Sequence, residues 1–556
     1  MHSIGNLSNE KVTTLLDKYC QEIPDKIAIV WLANGEDVSE EITYSDLSTS
    51  SKSIAANLIK LGCAGKIVAL ALRDTPSFIK SFFGCLYAGA IALPLPMGHG
   101  EKSRAHVTQI IKAANPLLIV SDCTDELKNN AFSSQLIDFN KLSLNINFTE
   151  PCITKDTVAL LQYTSGSNSF PKGVVITHGN LSSTQEMIRQ SFGHKQGLIV
   201  ASWLPLYHDM GLIGGLMQPL MLGGQIILMP PFSFIKKPLR WLAVIDRYKV
   251  ESSGAPNFAY DLCNRSIKKS DLYHLNLSSW QIAFCGAEPA RLGILNKFSE
   301  NLKIASFDPR ALLVCYGLAE ATLLVSATKP KEPISAFFKS QVAQKGLDIN
   351  QEFTEYVNCG HAPEGCTIKI LDLNTKGYAA EKTIGEILIS GPNVAKGYLV
   401  DGQIIDLTQK IIDDVTWCVT GDLGFMDSNR LFITGRKKNL IKTYGRVVHA
   451  EDIEHKVGEL LSSVQNVAAL PFTRDNKETI ILVLEINLLR DKFDKSQFNL
   501  SKISRDIGEL FGLIPFDIII VPQGSIPRTT SGKIQREKLL NLYVSNEIIS
   551  LDALRQ

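Results

Sequence analysis

No charge of one sign dominates this sequence. Lysine and arginine number 57 against 56 aspartates and glutamates, a formal net charge of +1. Nucleic-acid binders usually carry a basic surplus or stripe, so nucleic acid is not an expected partner. Cysteine pairs at metal-ligand spacing are missing too. The 11 cysteines are scattered singly, no CxxC occurs, and the closest neighbours are Cys359 and Cys366. A structural zinc site is therefore not expected. Solitary thiols fit a reducing compartment, which makes a cytoplasmic location the expectation. Residues 1–10 are polar and lack the apolar stretch of a secretory leader. Internal repeats and low-complexity tracts are absent. One uncharged run, 210–231 (MGLIGGLMQPLMLGGQIILMPP), is long enough to span a bilayer. Pro219 and the Gly223-Gly224 pair interrupt it, so it reads as a buried helix, a turn and a buried strand, and an integral membrane protein is not expected.

What is present is ordinary globular material in quantity. The chain has 556 residues, 45% apolar and 20% charged, several times the size of a single-core domain. Short β-branched runs at 66–72, 117–120, 225–228 and 282–284 alternate with amphipathic stretches such as 47–60 and 76–88. Strand alternating with helix implies an α/β body, with mainly parallel sheets covered by helices on both faces. The composition breaks near 434–442 (TGRKKNLIK). Beyond it, a helix pattern at 450–460 and strand patterns at 480–486 and 517–521 read as a small α+β domain. The expected division is a large multi-subdomain N-terminal body over 1–435 and a small C-terminal domain over 436–556.

Four motifs carry chemistry. The first, YTSGSNSFPKG at 163–173, follows an apolar strand pattern and supplies Thr164, Ser165, Gly166, Ser167, Lys172 and Gly173. Small hydroxyl residues and glycine let backbone N–H groups approach an anion, and Lys172 adds a mobile positive charge suited to phosphate. Alone, such a loop is more often a solvated turn. The second, YGLAEAT at 316–322, holds Tyr316, Gly317 and Glu320; the third, TGDLG at 420–424, holds Asp422 and is followed by Arg436 and Lys438; the fourth, IPRTTSGK at 526–533, ends on Lys533. A phosphate loop, an acidic metal candidate, an Asp-then-Arg pair and a distal lysine in one chain change the odds for each.

Together these motifs resemble the adenylate-forming superfamily of acyl-CoA synthetases, peptide-synthetase adenylation domains and luciferases. Within it the chain is most similar to fatty acyl-AMP ligases, through WLPLYHDMGL at 203–212, SGAPNFAYDLC at 253–263, GAEP at 286–289, YGLAEAT and an extra stretch between 335 and 357. The resemblance implies ATP and Mg²⁺ as reactants. It implies that Thr164–Gly173 surrounds the β- and γ-phosphates and that Glu320 ligates Mg²⁺. Tyr316, with Gly286 and Ala287, would line the adenine pocket, and Asp422 would accept from the ribose hydroxyls. Arg436 would contact ribose or phosphate, and Lys533 would reach the α-phosphate. His208 stands between nucleotide and acid, where it is either structural or a positioner of the carboxylate. The small domain would be mobile, turning about Lys438. Departures from the family pattern are Asn168 and Ser169 in the phosphate loop, and Ala450 where a proline is usual.

The substrate reading follows from what the acid pocket lacks. Peptide-synthetase adenylation domains pair an amino group with aspartate, whereas 253–260 holds Asn257 and Phe258 and no acidic residue. Burying an ammonium without a partner is costly, so the expected substrate is a fatty acid without an α-amino group. The run 212–222 is either acyl-tunnel lining or ordinary core. By resemblance, the acceptor is the phosphopantetheine thiol of an acyl carrier protein acting in trans. CoA as acceptor, or a non-catalytic adenylate-binding protein, are the alternatives.

Overall fold

The structure, a computed structural model, describes residues 6–98, 100–128, 132–142, 147–164, 172–338, 355–443, 446–461, 464–474, 477–486, 499–528 and 534–551. Runs such as IAIVW, IVALA, LIVS and QIIL are apolar without alternation, which suits strands covered on both faces. They form the strands Ile27–Trp31, Ile67–Ala71, Leu118–Ser121 and Gln225–Leu228. Two eight-stranded sheets result.

The first sheet runs in the order Leu324–Ala327, Leu312–Gly317, Ile282–Cys285, Ser252–Ala255, Ile199–Ser202, Gln225–Leu228, Ile27–Trp31, Glu40–Thr43. Its inner pairs are parallel and its two edge pairs antiparallel. The second sheet joins the parallel strands Val158–Thr164, Ile91–Pro94, Ile67–Ala71, Leu118–Ser121 and Gln135–Asp138. The antiparallel strands Lys172–Thr177, Gly397–Val400 and Gln403–Ile405 complete it. A third, antiparallel sheet holds Val415–Asp427 and Arg430–Arg436.

Helices start where the sequence supplies caps. Thr43 and Asp46 form a capping box for Tyr44–Lys60, and Asp74 caps Thr75–Ala88, which stops at Gly89 with φ +62°. Both expected amphipathic stretches lie inside these helices. The uncharged run becomes a π-helix, Met210–Met217, a short helix, Gln218–Leu220, a turn, and the strand Gln225–Leu228. Among the described residues no helix is long and apolar enough to cross a membrane. All 11 cysteines are free thiols.

Behind the first sheet an aromatic stack fills the core. Trp203 lies flat on Phe234 at 4.0 Å between ring centroids, and Trp241 meets Trp280 edge-on at 5.2 Å. The Trp241 indole N–H donates to Ser253 Oγ at 2.8 Å, which satisfies a buried donor. At the C-terminal end, Lys477–Ile486 pairs antiparallel with Val464–Arg474 and parallel with Asp517–Pro522. Helix Ala450–Leu460 packs on this sheet, and the two apolar clusters here draw only on residues from Ile441 onward.

Candidate active site

Four adjacent parallel strands, Ile199–Ser202, Ser252–Ala255, Ile282–Cys285 and Leu312–Gly317, end on the same edge of the first sheet. In open α/β sheets the crevice beyond the carboxyl ends is where ligands bind. Here it is a cavity of about 710 Å³, whose wall includes Trp203, Pro256, Ala287 and Glu320.

Tyr316 closes one side. Its hydroxyl donates to Asp422 Oδ2 at 2.7 Å, and Arg436 Nε meets Asp422 Oδ1 at 3.0 Å. Asp422 and Arg436 are opposed in register on neighbouring strands, which fixes this pairing. Asp422 is buried, whereas the Arg436 side chain is 47% exposed and stands in the cavity wall. Burial, then the Asp422 charge, pushes the Tyr316 phenol well above its usual range. The same carboxylate raises the Arg436 guanidinium. Gly317 has no alternative: a Cβ there would sit 1.9 Å from the Leu323 carbonyl oxygen, where the chain turns back toward Leu324–Ala327.

Glu320 stands on the short turn Ala319–Ala321, and its Oε1 accepts from the Tyr398 hydroxyl at 2.6 Å. Lys172 Nζ lies 5.4 Å from the centroid of the same Tyr398 ring, a cation–π contact. Tyr398 is placed by strand pairing, since Gly397–Val400 lies antiparallel to Lys172–Thr177. Gly173 is opposed to Tyr163, and a Cβ there would meet the Tyr163 ring at 2.7 Å. Among the described residues no group of three or more His, Cys, Asp or Glu side chains could hold a metal alone.

His208 is in the wall, with its ring 4.9 Å from that of Tyr207. Lys438 reaches the cavity mouth, where desolvation and the Arg436 charge lower its ammonium. Ala287 is in the wall and takes φ +68°, which turns the chain there; Gly286, just before it, is not a wall residue and packs against Cys315, whose Sγ would lie 2.7 Å from a Cβ. Thr164 ends its strand opposite Lys172. Ser165, Gly166, Ser167 and Lys533, and residues 339–354 of the stretch between 335 and 357, lie outside the described residues.

An apolar arm leaves the charged end, walled by Ile188, Phe192, Val200, Trp203, Phe258 and Phe284. Phe258 is therefore pocket lining, while Asn257 Oδ1 accepts the Arg291 N–H at 3.0 Å. Glu288 accepts the Phe258 N–H at the start of helix Asn257–Ser266. The run 212–222 divides: its large side chains, Leu212 to Leu222, are core, and only Gly214 reaches the cavity, beside Met210 and Gly211 just before the run. Motif reading missed Tyr398 and His194. It quoted Arg528 within the fourth motif without giving it a role, yet Arg528 lines the cavity.

This arrangement has known counterparts. The AMP-binding enzyme profile matches residues 16–399, and the chain belongs to that family of adenylate-forming ligases. The chain is 31% identical to the medium-chain-fatty-acid–acyl-carrier-protein ligase TtuA of Teredinibacter turnerae, over 95% of this chain and 93% of that one. It is 30% identical to the long-chain-fatty-acid–AMP ligase FadD23 of Mycobacterium tuberculosis, over 95% and 96%. A fatty acyl-adenylate ligase from Legionella pneumophila, solved in complex with acyl adenylate and pyrophosphate, matches with a TM-score of 0.75 at 32% identity, covering 98% of each chain.

Proposed function

We propose that this protein condenses a fatty acid with ATP to give acyl-adenylate and pyrophosphate, then passes the acyl group to the phosphopantetheine thiol of a separate acyl carrier protein. The observation that carries the reading is one cavity with two chemically opposite ends. Lys172, Glu320, Arg436, Lys438 and Arg528 gather at one end, and the other is walled mainly by aliphatic and aromatic side chains. A triphosphate suits the first and an alkyl chain the second. The names of the relatives agree on activation of a carboxylic acid; two of them specify an acyl carrier protein as acceptor, on which that part of the reading rests, and others specify CoA.

In the adenylation step, attack of carboxylate on the α-phosphorus brings two anions together, so catalysis is mostly alignment and charge neutralisation. Tyr316 offers a ring face to adenine while its hydroxyl holds Asp422, whose carboxylate accepts from the ribose hydroxyls. Arg436 and Lys172 face phosphate, together with Thr164, Ser165, Gly166, Ser167 and Gly173 of the phosphate loop. His208 orients the acid. Lys533 stabilises charge at the α-phosphate. In support, Arg528 and Ile534, which flank 529–533, pair as an antiparallel bridge, and Arg528 is in the cavity wall. A single carboxylate, Glu320, fits Mg²⁺ arriving with the triphosphate rather than a protein-built metal cage. When bound, the ion neutralises phosphate charge. Residues 436–556 form the small mobile domain, and Lys438 is its hinge.

The test is product analysis by mass spectrometry with ATP, Mg²⁺ and fatty acids of graded length, alone, with CoA, and with a phosphopantetheinylated carrier protein. Acyl-adenylate that is discharged by the carrier and not by CoA supports the full reading. Efficient acyl-CoA formation replaces the acceptor, and no adenylate with any acid removes the substrate.

A further inference from the structure

The apolar arm reaches the outside of the molecule at one short helix. Pro231–Lys236 follows the strand Gln225–Leu228 and sits between prolines, Pro230 and Pro231 at its start and Pro238 just after it, so its backbone is stiff. Its two faces are unlike. Inward, Phe234 is fully buried and lies flat on Trp203, one of the arm's wall residues. Outward, Phe232 is 72% and Ile235 45% exposed, three residues apart and so neighbours on one face. Pro231 and Ile235 also belong to the cavity wall, whereas Phe232 stands beyond it.

Exposed apolar residues scattered singly are ordinary. This pair is not scattered, because it carries the lining of the arm out to the surface: Ile235 is wall and surface at once. The charge around it is unbalanced as well. Lys237 and Arg240 share the Glu36 carboxylate at 3.3 and 2.9 Å, and Arg247 donates to the Glu36 carbonyl oxygen at 2.8 Å. With Lys236, exposed at the end of the helix, four cations stand against Glu36 and its neighbour Asp37.

We propose that this ridge docks on an anionic lipid surface, and that the fatty acid passes from the lipid, carboxylate first, past Ile235 into the arm. The inference rests on the fatty-acid reading and adds where the acid comes from. The chemistry selects the occupant. Aromatic and aliphatic side chains flanked by lysine and arginine are the pattern of a segment seated at a headgroup boundary. Each lysine near an anionic leaflet adds attraction, which salt screens. A long-chain acid is itself held in lipid by its alkyl chain, and a wall that continues to the lipid boundary spares that chain a passage through water. A carrier protein must instead bring its thiol to the acyl carbon, at the charged end where Lys172 and Arg436 stand. The ridge joins the arm, through the contact of Phe234 with Trp203.

The experiment is co-sedimentation of the full chain, without ATP or acid, with vesicles of phosphatidylcholine alone and of phosphatidylcholine with about a quarter phosphatidylglycerol. Binding is expected to the anionic vesicles and should weaken as salt is raised. It should fall about tenfold in Phe232→Ser and in Lys236→Glu, both outside the cavity wall. A second measurement follows adenylate formation with a long-chain acid carried in the anionic vesicles and with a short-chain acid free in solution. In Lys236→Glu the first rate should fall about tenfold and the second should not change. Failure of the wild type to bind anionic vesicles, or wild-type binding by both variants, overturns the proposal and leaves fatty-acid activation standing. Loss of transfer to the carrier protein in Phe232→Ser with vesicle binding intact also overturns it, and gives the ridge to the carrier. Activation of no acid brings down the fatty-acid reading and the entry route with it, a failure that vesicle binding, measured without acid, keeps separate.

Discussion

Tyr316 and Asp422, 106 residues apart, are joined by a hydrogen bond of 2.7 Å at the charged end of the cavity. One comes from a parallel strand of the first sheet and the other from the antiparallel third sheet. Tyr316→Phe keeps the ring and removes the bond. Loss of a hydrogen bond to a buried carboxylate costs about 1.5–3 kcal/mol. KM for ATP should rise by roughly ten- to a hundredfold with a smaller change in kcat. Pyrophosphate release measured against ATP concentration checks this. An unchanged KM would show that Asp422 is held well enough by Arg436 alone.

Tyr398 aims the Glu320 carboxylate. Groups that orient a metal ligand typically contribute ten- to a hundredfold to metal affinity. Tyr398→Phe should therefore raise the half-saturating Mg²⁺ concentration by about tenfold. Activity should recover substantially at high Mg²⁺, and Tm should change little. A Mg²⁺ titration of adenylate formation decides it, and a fall in rate that Mg²⁺ does not restore would count against Glu320 as the ligand.

Gly317→Ala places a methyl where the Leu323 carbonyl oxygen lies, 1.9 Å away. The backbone must shift, and Tyr316 and Glu320 flank the shift. Misplacement by about 1 Å costs on the order of a hundredfold in rate. Steady-state kinetics with the purified variant should show that loss together with a lower Tm. Wild-type activity would mean the turn can open without moving either side chain.

Two buried histidines should make the fold acid-sensitive. Burial pushes His178 down to about 4 and His194 down to about 3, from an ordinary value of 6.5. Between those values and 6.5 the unfolded chain binds more protons than the folded one, so stability rises with pH. It is lost as pH falls below 6.5, at up to about 1.4 kcal/mol per pH unit for each histidine. Glu454, raised by burial to about 7, works in the opposite direction over part of this window. The difference between wild type and His178→Gln isolates one histidine. Tm followed from pH 6.5 down to about 4.5 should fall less steeply in the variant. Parallel curves would contradict the assignment.

Much of the local structure was legible in the sequence because it is set by local chemistry. The strand expected at 225–228 is Gln225–Leu228, and the helix expected at 450–460 is Ala450–Leu460. Asp422 and Arg436 were legible as a pair because family motifs place them, and their register makes the contact. Tyr398 was not, because its role depends on Gly397–Val400 crossing to Lys172–Thr177, a pairing of distant segments that leaves no local trace. The His194–Ser252 contact, 58 residues apart, escaped for the same reason. The uncharged run was legible as helix and strand, but not in its π geometry, because its glycine-rich composition holds no period to separate the two helix types.

The position of Arg436 constrains how this chain can be recombined with its relatives. It is the last residue of the strand Arg430–Arg436 and the partner of Asp422, whereas the C-terminal apolar clusters take in residues only from Ile441. A chimera spliced before Arg436 would import a foreign partner for the resident Asp422. One spliced after Asn439, four residues further on, takes both members of the ion pair from one parent and still exchanges the whole C-terminal core.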